Sequence, residues 1–175
     1  LVARYYAELH SGKGISDMEK KIVSQPYYSS QSTYPPRYYQ RNAVNRTVEA
    51  IARGQQRLLL VMATGTGKTY TAFQIVYRLL RSDLKKRILY LADRNILVDQ
   101  SILQDFAPLE KTIYKVDFSD KACLSKIASR EVNFALYHQM VGQNDEEHFK
   151  QIPAEYFDLI IVDECHRGSA KEDSN

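Results

Sequence analysis

The chain has 175 residues, 44% of them hydrophobic and 26% charged, with a formal net charge of +3 and a pI near 8.8. These values exclude general disorder, leave room for about one domain, and permit an anionic partner without identifying one. Two cysteines, Cys123 and Cys165, offer neither a disulfide framework nor a metal-ligand spacing, and no apolar run approaches the roughly 20 residues that span a bilayer, so a reducing, cytoplasmic setting with no membrane partner is expected.

Residues 1–35 differ in composition from the rest and read as a connecting arm. Within it Ser16-Asp17-Met18-Glu19 fits a helix capping box, and the Ser/Tyr/Pro stretch 24–36 reads as extended linker. Tyr27, Tyr28, Tyr34, Tyr38 and Tyr39 would either pack the arm on the following lobe, the preferred reading, or stack on exposed bases. The start without methionine and the polar end 167–175 suggest a piece of a longer polypeptide.

Val44, Val48, Ile51 and Ala52 mark one face of a helix that ends at Gly54. Strand and helix then alternate. A short apolar strand is expected at 58–62, and a helix over 68–80 carrying Ala72, Phe73, Val76 and Leu80. Next come a strand at 88–92 and a helix marked by Val98, Ile102 and Phe106 and stopped by Pro108. Further strands are expected at 112–116, 133–137 and 159–162, with a helix over 121–129 led by Asp120. This order implies an α/β fold with parallel strands, helices on both faces, and ligands at the carboxyl ends of the strands. Lys85-Lys86-Arg87 reads as a solvated turn.

Two segments at such strand ends carry chemistry and can serve one site. Ala63-Thr64-Gly65-Thr66-Gly67-Lys68-Thr69 lies between an apolar strand and an amphipathic helix, the context in which the G-x-x-x-x-G-K-[ST] motif binds phosphate. Gly65 and Gly67 let the backbone of Thr64 and Thr66 curl so that N–H groups face phosphate oxygens. Lys68 would reach the β and γ phosphates, and the Thr69 hydroxyl would help hold Mg2+. Met62 stands where the motif has its first glycine. Downstream, Asp163-Glu164-Cys165-His166 emerges from what reads as a buried strand. Asp163 would bind magnesium through water, and Glu164 would orient and deprotonate the attacking water. His166 would bond to an element that moves with nucleic acid, and Cys165 reads as a small packed residue.

Together these residues resemble the first motor lobe of superfamily 2 helicases and translocases, over about 36–168. More narrowly, Arg37-Tyr38-Tyr39-Gln40, the 62–69 loop, the 91–100 segment around Ala92-Asp93-Arg94-Asn95, and Val162-Asp163-Glu164-Cys165-His166-Arg167-Gly168 resemble the restriction subunit of type I restriction-modification enzymes. The resemblance implies a RecA-like P-loop lobe at 36–175, preceded by the 1–35 arm. It also implies ATP as the bound nucleotide, translocation on double-stranded DNA coupled to endonuclease cleavage, and assembly with modification and specificity subunits.

By the same resemblance Gln40 reads the adenine edge with Arg37 against the base, the alternative being that Gln40 caps its helix. Arg94 belongs to a motif touching the nucleic-acid backbone, or else pairs with Asp93 or Asp99. Gln139 resembles a second such contact, although many relatives carry threonine where Tyr137 stands. His138 reads as structural. A second lobe would supply an arginine worth roughly 10³ to 10⁵ in rate, so this lobe alone is expected to hydrolyse ATP barely at all. A repair or remodelling translocase on the same lobe, or a nucleotide-dependent switch without motor output, are the competing readings.

Overall fold

The computed structural model describes residues 16–31, 34–93, 102, 104–141 and 147–165. It divides into two compact units, Leu1–Leu84 and Lys85–Asn175. Among the described residues no helix is long and apolar enough to cross a membrane.

The first unit is helical. Helix α1, Asp17–Val23, begins at the expected capping box: Ser16 N donates to Glu19 Oε2 at 2.9 Å, and Glu19 N donates to Ser16 Oγ at 3.2 Å. Helix α2, Tyr38–Ala52, buries Val44, Val48 and Ala52, a four-residue spacing that lines one face. It is followed by Gly54 at φ +82°, a left-handed conformation that glycine adopts without penalty. Helix α3, Lys68–Arg81, buries Phe73, Val76 and Leu79.

Helix α3 also buries Gln74 and Arg78, and both hold the arm. Gln74 Oε1 accepts from Tyr28 N at 2.9 Å, while its Nε2 donates to Tyr28 O at 3.1 Å and to Tyr70 Oη at 2.9 Å. Arg78 donates to Asn45 Oδ1 and to Ile22 O, both at 2.8 Å, with its guanidinium 5.0 Å over the Tyr27 ring. Tyr28 meets Phe73 and Tyr77 edge-on at 5.4 and 5.3 Å. Tyr27 and Tyr28 thus pack as expected, whereas Tyr34 and Tyr38 are exposed.

The strand expected at 58–62 is not formed. Residues 55–63 have no regular secondary structure, and Leu58, Leu59, Leu60 and Val61 are exposed. An apolar run signals burial, but a strand also needs a neighbour for its hydrogen-bond ladder, which composition does not supply.

The second unit is built on four parallel strands: β1, Ile88–Ala92; β2, Ile113–Lys115; β3, Val132–Leu136; and β4, Leu159–Val162, in the order β2-β3-β1-β4. The α/β architecture with a parallel sheet and flanking helices is therefore present. β3 is buried at every position and β1 at all but one, the pattern of strands covered on both faces. On one face Tyr90 stacks on Phe134 at 4.7 Å and Phe106 packs edge-on against both. On the other, Leu89 and Ala135 join Cys123 and Ile127 of helix α4, Cys123–Ser129. At the strand starts, the Asp158 carboxylate accepts from Lys86 N and Arg87 N at 3.0 and 3.1 Å, so the basic turn is held through its backbone.

Several boundaries move. The strand expected at 133–137 begins one residue earlier and stops at Leu136, because Tyr137 opens a short helix, α5, Tyr137–Val141. Helix α4 starts at Cys123, with Asp120 bonding the N–H of Ala122 ahead of it. Pro108 sits inside a 3-10 turn, Ala107–Thr112, where its missing N–H is harmless, and Phe106 lies in a turn before it; Val98 is outside the described residues. β4 is not buried but is an edge of the described sheet, with Ile160 and Val162 exposed.

Candidate functional site

The phosphate-loop sequence forms a tight turn that opens into α3. Gly65 and Gly67 take φ of +77° and +80°, conformations that cost an L-residue about 1–2 kcal/mol. Thr66 closes the turn on Ala63, whose carbonyl accepts from Thr66 Oγ1 at 2.6 Å and from Thr66 N at 3.3 Å. Gly67 is the N-cap of α3. Among the described residues no side chain caps that end and its first turn holds no acidic residue, so the positive pole of a 14-residue helix favours an anion there. Lys68 and Thr69 are the first two residues of this helix, half-buried beside Thr66 and Gly67. Thr64 and Gly65 are exposed at the tip. Met62, in the position of the motif's first glycine, is half-buried and does not prevent the turn.

Gln40 is part of the same construction. Its Oε1 accepts from Arg37 N at 2.8 Å, capping α2, and its Nε2 donates to Thr66 O at 2.9 Å. The capping alternative thus describes its place, and the tie to Thr66 was not anticipated. An amide offers two donors and two acceptor sites. One donor and one acceptor site lie beyond these two bonds, so an adenine edge is compatible with them. Gly67 is glycine for a second reason: a Cβ there would lie 2.5 Å from Gln40 Nε2. Arg37 is exposed, its Nη1 donating to Tyr39 Oη at 3.2 Å, and Tyr39 Oη approaches Thr66 O at 3.4 Å.

The acidic end lies at the carboxyl edge of the sheet in the second unit. Asp163 N donates to Leu91 O at 2.9 Å, extending the β1–β4 ladder by one step. Its Oδ2 accepts from the Tyr90 hydroxyl at 3.1 Å and its Oδ1 from Glu164 N at 3.0 Å. Glu164 has φ +50°, left-handed backbone in a non-glycine residue, a strained state found preferentially at functional sites. Burial, and then the charge of Asp163, push the Tyr90 phenol well above its ordinary range, so it stays a hydrogen-bond donor. The Tyr137 phenol is raised by burial and by the nearby charges of Cys165, Asp163 and Asp93. Cys165 is exposed rather than packed, because it lies past the strand end and is not inserted into the core.

No three His, Cys, Asp or Glu side chains among the described residues form a metal cage. Asp163 offers a single carboxylate with acceptor capacity left on both oxygens. Magnesium is commonly bound by one or two carboxylates together with phosphate oxygens and water, so this donor set fits an ion that arrives with a nucleotide. Gln139 turns back on the chain, its Oε1 accepting from Leu136 N at 3.3 Å. Arg94 and His166 are outside the described residues. Tyr90 and Tyr137 had no sequence signal beyond that of core aromatics.

Among proteins of known type, the endonuclease subunit of the type I restriction enzyme EcoAI from Escherichia coli is 51% identical over 163 residues, covering 93% of this chain and 20% of that protein. The chain therefore spans about a fifth of that relative's length. A structure of a fragment assigned to the HsdR subunit of a type I restriction enzyme from Vibrio vulnificus YJ016 aligns with a TM-score of 0.68 at 35% identity, over 92% of this chain and 27% of the other. The UvsW helicase from Bacteriophage T4 aligns with a TM-score of 0.59 at 18% identity, over 93% of this chain and 59% of the other, a likeness of fold alone. The family described as Type III restriction enzyme, res subunit, matches residues 33–175, and the chain belongs to that family.

Proposed function

We propose that residues 36–175 are the first motor lobe of a type I restriction subunit, joined to its upstream part by the 1–35 arm, and that the lobe binds and hydrolyses ATP to drive translocation on double-stranded DNA ahead of cleavage. One observation carries this reading above the others: two glycines in left-handed conformation turn the chain into the uncapped N-terminus of α3, where Lys68 and Thr69 begin the helix.

In this reading Lys68 meets the β and γ phosphates. Thr69 and Asp163 would hold a magnesium ion, which when bound neutralises charge building on the phosphate oxygens. Glu164 accepts a proton from the water that attacks the γ-phosphorus. Gln40 and Arg37 meet the base, and His166, Arg94 and Gln139 link the site to DNA. The partners are double-stranded DNA and the modification and specificity subunits of a cytoplasmic restriction complex.

Lys68→Ala in the full protein tests the reading. A motor loses DNA-stimulated ATP hydrolysis and DNA cleavage together, each by at least roughly 10²-fold given the size of single electrostatic contributions to such reactions. Retention of cleavage by the variant would instead identify a passive nucleotide-dependent module.

A further inference from the structure

We infer that Tyr90 is a positioning residue for the acidic strand end: its buried hydroxyl fixes the rotation of the Asp163 carboxylate and so the direction in which that carboxylate meets a divalent cation or its water shell. The inference rests on the proposed reading of Asp163 as the metal-facing carboxylate.

Tyr90 is 2% exposed in the middle of β1, and its ring is held between Phe134, stacked at 4.7 Å, and Phe106, edge-on at 5.7 Å. A phenol has only two side-chain torsions, and both are set by this packing. In register Tyr90 stands opposite Ile161, but its hydroxyl reaches two residues further, just past the end of β4, to Asp163 Oδ2 at 3.1 Å. The second oxygen, Oδ1, accepts from Glu164 N at 3.0 Å. One donor from a packed ring and one from the backbone therefore hold the two oxygens of one carboxylate, leaving further lone pairs on each for an outside ligand.

Packing alone does not explain the hydroxyl. Phenylalanine would fill the same ring volume between Phe134 and Phe106 without bringing a polar group into the core, which is costly unless that group is bonded. The bond that satisfies it is the one that orients Asp163. Outer-shell partners of this kind tune how well a ligand side chain receives its metal, and their loss typically weakens metal affinity by roughly 10- to 100-fold.

The test measures binding of a fluorescent, non-hydrolysable ATP analogue to the full protein while Mg2+ is titrated, with a parallel measurement in EDTA and a thermal melt. Tyr90→Phe and Asp163→Asn are compared with the unmodified protein. Tyr90→Phe is expected to raise the half-saturating Mg2+ concentration by roughly 10-fold, with unchanged binding in EDTA and only the small drop in melting temperature that the loss of one hydrogen bond brings, because the ring packing is kept. Asp163→Asn is expected to raise it further. A Tyr90→Phe titration that overlays the unmodified protein, alongside a weakened Asp163→Asn, would overturn the role of Tyr90 and leave Asp163 as assigned. An Asp163→Asn titration that also overlays would remove the metal-facing role of Asp163, and the role of Tyr90 with it.

Discussion

Gly67→Ala separates two demands that the loop makes on one residue. The first is conformational: at φ +80° an alanine costs about 1–2 kcal/mol. The second is steric: the new Cβ would lie 2.5 Å from Gln40 Nε2, too close for any contact, so the amide must leave Thr66 O and forfeit a bond worth about 1 kcal/mol net. The expected loss is about 2–3 kcal/mol. Gly54 supplies the control, since its φ is +82° and a Cβ there meets nothing within 4 Å, so Gly54→Ala carries the conformational part alone. Urea unfolding of the chain, followed by far-ultraviolet circular dichroism because it has no tryptophan, gives both values. Combining Gly67→Ala with Gln40→Ala removes the obstructing amide, so the double variant should be more stable than the sum of the singles predicts by about 1 kcal/mol. Equal losses at the two glycines, with strict additivity at Gly67 and Gln40, would refute the steric part of the reasoning.

Glu164 makes two separable predictions. Glu164→Gln should lower ATP hydrolysis by roughly 10² to 10⁴, the range for a general base, while nucleotide binding persists; a steady-state rate and an equilibrium titration on the same preparation check this. Because Glu164 has φ +50°, Glu164→Gly should melt higher than Glu164→Ala, the reverse of the usual order of glycine and alanine, by an amount near 1 kcal/mol. At the other end of the chain, the Arg53 guanidinium, 2.7 Å from Glu19, together with the Ser16 N–H, lowers the Glu19 carboxyl from its ordinary 4.5 to about 2. A lowered folded-state value means that its stabilisation is complete above about 4.5 and is lost as the pH falls towards 2. Glu19→Gln should flatten urea midpoints measured across that window and leave neutral-pH stability less affected than a buried ion pair would.

Much of this architecture can be read directly from residue order, and the exceptions have identifiable causes. Helix α2 is legible because Val44, Val48 and Ala52 recur at four-residue spacing and Gly54 follows, and the phosphate loop because glycine, lysine and threonine stand at fixed offsets before an amphipathic helix. The run at 58–62 misleads because apolar composition reports a tendency to be buried and carries nothing about which neighbour would pair with it. Tyr137 ends β3 early for a related reason: strand ends depend on the ladder, and here the next residues turn into α5. Three features of the site are invisible to one-dimensional reasoning. The tie from Gln40 to Thr66 spans 26 residues, the bond from Tyr90 to Asp163 spans 73, and the left-handed backbone of Glu164 occurs in a residue type that rarely adopts it. The first two arise because folding brings distant segments side by side, and nothing in the structure explains the third, whereas Gln40, Asp163 and Glu164 could be picked out beforehand as chemically capable groups.

The clasp of Gln74 on both backbone groups of Tyr28 has a mechanical meaning. Gln74 lies fewer than two turns beyond Lys68 on the same helix, and Tyr70, between them, donates to the Tyr34 carbonyl at 3.1 Å. Displacement of the incoming chain is therefore borne by α3 itself, with the load entering close to the residues that would grip the triphosphate. Strain on residues 22–28 would therefore enter α3 within a few turns of its first residue, so the arm is fastened to the helix and is not a slack tether.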